Sequence, residues 1–320
     1  MSNPKTLVVT VKDFISPSDL EPLKSVSDVT YMEKERVSEG ELSSMIAGYD
    51  YLMLEYDAVK HLGETFYSNP NARKLKGIST DITGMSWANP EMAKKYGITL
   101  MNVPNYCTES VAESILCEVL LHSRKIHEAY KDMIKGGEPK ERRGINLRGR
   151  TVGIVGLGSI GMRTAELLRS LGMDVIAWNR TPKTVPGVKM MPTIKELFSK
   201  SDVVCLGLKT VAAGNSPTTG IISREVLGAS RKGLILVNLA GLELVDHDAL
   251  YDEITAGKIS GYSFTREEKA KALKVASLDC VSMPPANAWL SDESLNELRK
   301  IWVGNIVSAI NGHPQNVVKD

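Results

Sequence analysis

The chain alternates short apolar, β-rich runs with stretches whose apolar positions recur at helical spacing. Residues 6–11, Tyr51–Leu54 and 75–80 read as strands, and the segments 39–47 and 90–96 between them carry helical periodicity. Alternation of this kind predicts parallel sheets covered by helices. A second series begins after Arg150. Its strands are predicted at Thr151–Val155, Asp174–Trp178, Val203–Leu206, 234–239, Ile259–Phe264 and 280–283, and its clearest helices at 161–171 and 246–256. Thr151–Val155 is apolar almost without interruption, as a strand buried on both faces requires. Between the two series, 111–130 reads as one long helix carrying Ile115, Leu116, Val119, Leu120 and Ile126, and a polar surface segment, 135–144, follows it.

Bulk properties narrow the function classes. At 320 residues the chain can bury two cores. A net charge of +1 argues against a broad basic surface for nucleic acid. No apolar run approaches the roughly 18 residues of a membrane-spanning helix, and the N-terminus lacks a signal-peptide pattern, so a cytoplasmic protein is expected. Cys107, Cys117, Cys205 and Cys280 form no Cys-x-x-Cys pair and fit no zinc spacing, which predicts free, buried thiols and no metal site.

The chemistry is concentrated in Gly156-Leu-Gly158-Ser-Ile-Gly161, which follows a predicted strand and opens a predicted helix. In such a motif the first glycine permits the tight turn, the second admits a pyrophosphate against the backbone, and the third lets helix and sheet pack closely. The helix N-terminus offers amide donors and a positive dipole end to the phosphates, here through Ser159 and Ile160. At the end of the next strand, where an Asp or Glu commonly takes the ribose 2′-hydroxyl, the chain reads Asn179-Arg180-Thr181-Pro-Lys183. Without a carboxylate there, Arg180 can grip a 2′-phosphate with its planar fork, Lys183 can add a charge, and Asn179 and Thr181 can add hydrogen bonds. NADP(H) is therefore expected over NAD(H).

Several further segments resemble the D-isomer-specific 2-hydroxyacid dehydrogenases nearly end to end. They are Asn102-Val-Pro104 with Thr108-Glu-Ser-Val-Ala-Glu113, the stretch from Leu147 to Gly156, Val237-Asn-Leu-Ala240, Val245-Asp246 and Gly312-His-Pro314. The resemblance implies an α/β architecture in which a Rossmann doubly wound parallel-sheet cofactor domain, 105–285, is inserted into a flavodoxin-like parallel-sheet substrate domain, 1–104 with 286–320. It also implies a homodimer through the 111–130 helix and a small-molecule substrate. The substrate's carboxylate would be held by backbone amides of Ile82, Thr83 and Gly84. Thr108, Leu208, Lys209, Leu239, Ala240, Gly241 and Thr265 would join the cofactor site.

The same resemblance marks departures. The family's catalysis uses an Arg clamp, a His proton donor and a Glu that keeps the His charged. Gly241 stands at the Arg position and Ala286 at the His position; the Glu position falls near Ala270, in a run that also holds Glu267 and Glu268. Of the five histidines, His61, His122, His127, His247 and His313, none aligns with the donor, and His247 is expected to start an exposed helix. Tyr262, Lys209 and Asn287 are the replacement candidates, with Lys209 able to lower the pKa of Tyr262; the preferred expectation is that Tyr262 packs under the nicotinamide and Lys209 is solvated. Trp87 and Trp289 would line an apolar pocket or pack between domains. Losing acid and clamp together removes several orders of magnitude from 2-oxoacid reduction. The expected activity is NADP(H)-dependent reduction of a different acceptor, such as an iminium or conjugated alkene. The alternative is a catalytically inactive NADP(H)-binding protein.

Overall fold

Strands with apolar residues at successive positions need cover on both faces, and the fold supplies it twice. The computed structural model describes residues 3–137, 141–211, 217–266 and 273–318. The chain divides into two compact units, one built from 3–107 and 291–318, the other from 108–290.

In the first unit the order is β1 (Lys5–Thr10), α1 (Glu21–Lys24), β2 (Asp28–Glu33), α2 (Glu39–Met45), β3 (Tyr51–Leu54), α3 (Glu64–Ser68), β4 (Gly77–Thr80), α4 (Pro90–Lys95) and β5 (Thr99–Met101). The strands form one parallel sheet in the order β2-β1-β3-β4-β5. This is the flavodoxin-like doubly wound arrangement, in which the strand order reverses beside β1 and ligands gather at the carboxyl ends of the strands. Leu7, Val9, Leu52, Leu54 and Ile78 fill one face with Phe66 and Tyr67. The other face takes Val8, Met53 and Met101 against Trp302 and Ile306 of the chain's last helix, Asp292–Ile310. Polar bonds fix that docking. Trp302 Nε1 donates to Ser79 O at 3.0 Å, and Asn305 Nδ2 donates to Asn102 O at 2.9 Å.

The second unit runs α5 (Thr108–Ser123), α6 (Ile126–Ile134), β6 (Thr151–Val155), α7 (Ser159–Ser170), β7 (Asp174–Trp178), β8 (Lys189–Met190), α8 (Ile194–Lys200), β9 (Val203–Leu206), α9 (Arg224–Gly228), β10 (Leu234–Asn238), α10 (His247–Thr255), β11 (Ile259–Phe264) and β12 (Val281–Ser282). Its seven strands are parallel, in the order β12-β11-β10-β9-β6-β7-β8, with apolar cores on both faces.

The long helix expected over 111–130 is two helices. Lys125 takes a left-handed conformation, φ 56°, and breaks the chain between α5 and α6. Its ammonium donates to Ser260 O at 2.6 Å and pairs with Glu128 at 3.0 Å, so tertiary bonds offset the strain that an L residue meets there. The thiols also differ from expectation. All four are free, but only Cys205 is fully buried; Cys107 and Cys280 are half-buried and Cys117 is exposed. Among the described residues, no helix is long and apolar enough to cross a membrane, and no three His, Cys, Asp or Glu side chains are grouped to hold a metal.

Candidate active site

Three glycines bring β6, α7 and β9 into backbone contact. Gly156 ends β6 with φ 99°, and a Cβ there would lie 2.8 Å from both Gly207 O and Leu208 Cδ2. A Cβ on Gly161 would lie 2.0 Å from Gly156 O, which no rearrangement of side chains can relieve. Gly158 is different: it is exposed, and nothing lies within 4 Å of its absent Cβ. It caps α7 without a side-chain bond, and the first turn of that helix carries no acidic residue. Amides of Ser159, Ile160 and Gly161 thus start a 12-residue helix beneath open space, the arrangement that receives a phosphate.

Beyond β7, the polar residues divide their work. Asn179 Oδ1 accepts from Leu157 N at 2.9 Å, and its Nδ2 donates to Thr181 O at 2.7 Å. Lys183 Nζ donates to Leu157 O at 2.7 Å. Both side chains therefore brace the glycine turn, a role the sequence did not disclose for them. Arg180 is exposed and makes no hydrogen bond or ion pair among the described residues. Its guanidinium is left open to solvent.

At the carboxyl ends of β9 to β11, Leu208 is half-buried against Gly156, and Lys209 is exposed with no partner for its ammonium among the described residues. Asn238 Oδ1 accepts from Ala240 N and Gly241 N, each at 3.2 Å, and its Nδ2 donates to Gly241 O at 2.8 Å. One side chain thus sets the turn 238–241. Leu239, Gly241, Thr108 and Thr265 are half-buried, whereas Ala240, Ala286 and Asn287 are exposed. Ala270, Glu267 and Glu268 lie outside the described residues.

Tyr262 packs within the core of its unit. It is fully buried, stacks on Phe264 with ring centroids 5.0 Å apart, and shares its hydroxyl with His247 Nε2 at 3.2 Å. Burial raises its pKa, and its hydroxyl meets His247 and, at 3.5 Å, Asn238 Nδ2, not Lys209. His247 is itself half-buried against Tyr262 and Phe264, not exposed as expected, because these rings cover the first turn of α10.

In the first unit, the loop 81–84 leaves β4. Ile82 O accepts from Val103 N at 3.2 Å, Thr83 O from Asn102 Nδ2 at 2.8 Å, and Gly84 O from Trp87 Nε1 at 3.1 Å. With the carbonyls tied, the amides of Thr83 and Gly84 have no partner among the described residues. Trp87 packs edge-on against Tyr56 with centroids 5.2 Å apart and belongs to the core; Trp289 is half-buried in the other unit.

Two acids at the root of this loop escaped sequence reasoning. Asp81 Oδ1 accepts from Tyr56 N at 2.8 Å, and burial pushes its pKa up to about 7. Glu55 accepts from Thr10 Oγ1 at 2.8 Å and from Val11 N, and burial raises it also. The available signal was an acid directly after each apolar strand.

Comparison with known proteins settles the lineage. Residues 116–288 match the NAD-binding domain of the D-isomer specific 2-hydroxyacid dehydrogenases. The chain belongs to this family. It is 30% identical to a hydroxypyruvate reductase of Thermotoga maritima over 227 residues, 70% of this chain and 71% of that protein. It is 31% identical to a D-3-phosphoglycerate dehydrogenase of Methanocaldococcus jannaschii over 255 residues, 77% of this chain and 48% of that protein, so it spans about half the length of that relative. Among solved structures, an acyclic imino acid reductase in complex with NADPH and D-Arg superposes with a TM-score of 0.84 at 23% identity, over 98% of this chain and 100% of that one, which is a likeness of fold. A nicotinamide dinucleotide is the cofactor of such a site. The glycine turn, the α7 amides and the backbone around 238–241 would hold it, and it would supply a hydride.

Proposed function

We propose that this family member is an NADP(H)-dependent oxidoreductase whose acceptor is not an ordinary 2-oxoacid. The observation that carries the cofactor preference is Arg180: exposed, without a partner among the described residues, and not accompanied by a carboxylate at 179–183. A guanidinium there attracts a 2′-phosphate and gives no advantage to a bare 2′-hydroxyl. Arg180→Ala should weaken NADPH binding about tenfold and leave NADH binding unchanged, given solvent screening at an exposed site.

The change of acceptor rests on Gly241 and Ala286, which stand where the family pattern carries its clamp and its acid. An iminium already bears the positive charge that an acid would have to provide to a carbonyl, so it accepts hydride with less help. A protein of the same fold is described as an acyclic imino acid reductase, which supports the choice of an imine as the acceptor to test first. Lys209, exposed and unpaired among the described residues, is the group we place as proton donor where one is needed. Amides of Ile82, Thr83 and Gly84 would hold an acceptor's anionic group. The test is NADPH oxidation across panels of 2-oxoacids, imines and conjugated alkenes; turnover is expected outside the 2-oxoacid set. Efficient glyoxylate or hydroxypyruvate reduction would remove the reading.

The burial of Tyr262 favours a second reading, a binding protein that holds NADP(H) without turnover. NADPH binding with no hydride transfer to any member of the panels would select it. In either case we place a homodimer on the 111–130 region, where Leu120, Ile126 and Tyr130 are 40%, 54% and 62% exposed, and expect light scattering to return twice the chain mass.

A further inference from the structure

Position 241 has no backbone need for glycine. Its φ of 170° and ψ of 142° are extended values that any residue adopts. The constraint is space. A Cβ on Gly241 would lie 2.2 Å from Thr210 Oγ1 and 3.5 Å from Thr210 Cβ. Neither backbone can easily withdraw. The Asn238 side chain grips 240 and 241 through three hydrogen bonds. On the other side, Thr218 is buried and holds both neighbours of Thr210. Its Oγ1 donates to Lys209 O at 2.9 Å and accepts from Val211 N at 2.8 Å, while Thr218 N donates to Val211 O at 2.9 Å.

The Thr210 side chain has less freedom to yield than a serine would have. It is β-branched, so turning Oγ1 away brings Cγ2 into the same place in one of the two remaining staggered positions. Its Oγ1 is also buried without a hydrogen-bond partner among the described residues. A buried, unsatisfied hydroxyl is unfavourable, so local hydrogen bonding does not account for a threonine here.

We propose that Thr210 and Gly241 are a matched pair, in which Thr210 fills the volume that any side chain at 241 needs and thereby fixes the substrate class. With that volume taken, position 241 cannot carry a cation against a substrate's carboxylate and carbonyl oxygens. Acceptors that do not need such a clamp, neutral or cationic at the reacting carbon, are the ones left. This rests on reading Gly241 as the vacated clamp position.

The experiment is a double-mutant cycle on the full chain, read by thermal unfolding and by NADPH affinity. Gly241→Ala should lower the melting temperature by about 3–8 °C, the scale of an overpacked site in a unit of this size. Thr210→Ala should leave it unchanged or raise it, and the double variant should recover most of the loss. Thr210→Ser with Gly241→Ala should fall between, because a serine can turn its hydroxyl aside. Additive effects, or a Gly241→Ala variant that melts with the wild type, would overturn the pairing.

The second arm compares Gly241→Arg/Ala286→His with the same pair plus Thr210→Ala in NADPH-dependent glyoxylate reduction. At least a tenfold higher kcat/KM is expected when Thr210 is removed. Coupling in the melts without any such gain would overturn the assignment of 241 as the clamp position, and with it the inferred substrate class. Loss of NADPH binding by the wild type would strike the proposed cofactor instead, and the melting cycle would still report on the pair.

Discussion

Replacing Glu118 by alanine should destabilise the second unit far more than an ordinary helix-surface substitution. Glu118 lies on α5, is 7% exposed, and accepts with one oxygen from Ser263 Oγ at 2.7 Å and Ser282 Oγ at 2.5 Å. His122, one turn along, is fully buried, with Nε2 2.8 Å from Ser263 Oγ and 3.1 Å from Ser282 Oγ. Each hydroxyl has one proton, and both go to Glu118. His122 must then donate from Nε2, which leaves Nδ1 bare, and Nδ1 is indeed buried without a partner among the described residues. Four side chains thus bind α5 to β11 and β12. Hydrogen bonds to a carboxylate contribute about 1.5–3 kcal/mol each, so two make roughly 3–6. In the alanine variant Ser282 Oγ can donate to Ser263 Oγ, 3.0 Å away, instead, which returns about 1 kcal/mol. The net loss is about 2–5 kcal/mol, a fall in melting temperature on the order of 5–15 °C for a unit of this size. Differential scanning calorimetry measures it. A Glu118→Ala variant within about 1 °C of the wild type would refute the claim that this network holds the helix.

Two glycines of the cofactor turn should behave oppositely. Gly161→Ala meets backbone at 2.0 Å and should cost about 3 kcal/mol or more in urea unfolding, whereas Gly158→Ala meets nothing within 4 Å and should keep its stability while losing NADPH affinity. Equal melting of the two variants would count against the geometry. Burial lowers the His122 pKa to about 3, so the folded state stays neutral while the unfolded imidazole takes a proton below about 6.5. Its contribution is therefore present above pH 6.5 and lost as pH falls towards 3, by about 1.4 kcal/mol per unit, and His122→Gln should flatten that slope. Asp81 acts in the opposite sense: its folded pKa of about 7 exceeds the ordinary 3.8, so its contribution is present in acid and lost as pH rises from about 4 to 7. Asp81→Asn, which still accepts from Tyr56 N, should therefore gain on the wild type over that interval, and a constant difference would contradict the burial of the carboxyl.

What the sequence disclosed follows from which interactions are local. Strands covered on both faces leave largely apolar runs, and Thr151–Val155, Asp174–Trp178 and Val203–Leu206 fall where those runs do. β2, Asp28–Glu33, escaped because an edge strand covered on one side alternates with polar residues and resembles a loop. The break in the long helix was invisible because Lys125, left-handed in the structure, is not a residue type that favours that conformation. The glycine turn was legible, since its spacing is a local geometric demand. The bracing roles of Asn179 and Lys183 were not, because the same polar residues serve equally to bind a phosphate. Glu118 and His122 looked like polar positions on an apolar helix; their i, i+4 spacing was the only trace of a network whose other half lies more than 140 residues on. The Thr210–Gly241 contact left no trace at all, as neither residue type is unusual in a loop.

Calorimetric titration of the purified chain with NADPH and, separately, with NADH addresses the central claim most directly. Binding of NADPH about tenfold or more tighter than NADH, with the difference abolished by Arg180→Ala, is the expected result. Equal affinities for the two dinucleotides, or no binding of either, would contradict it.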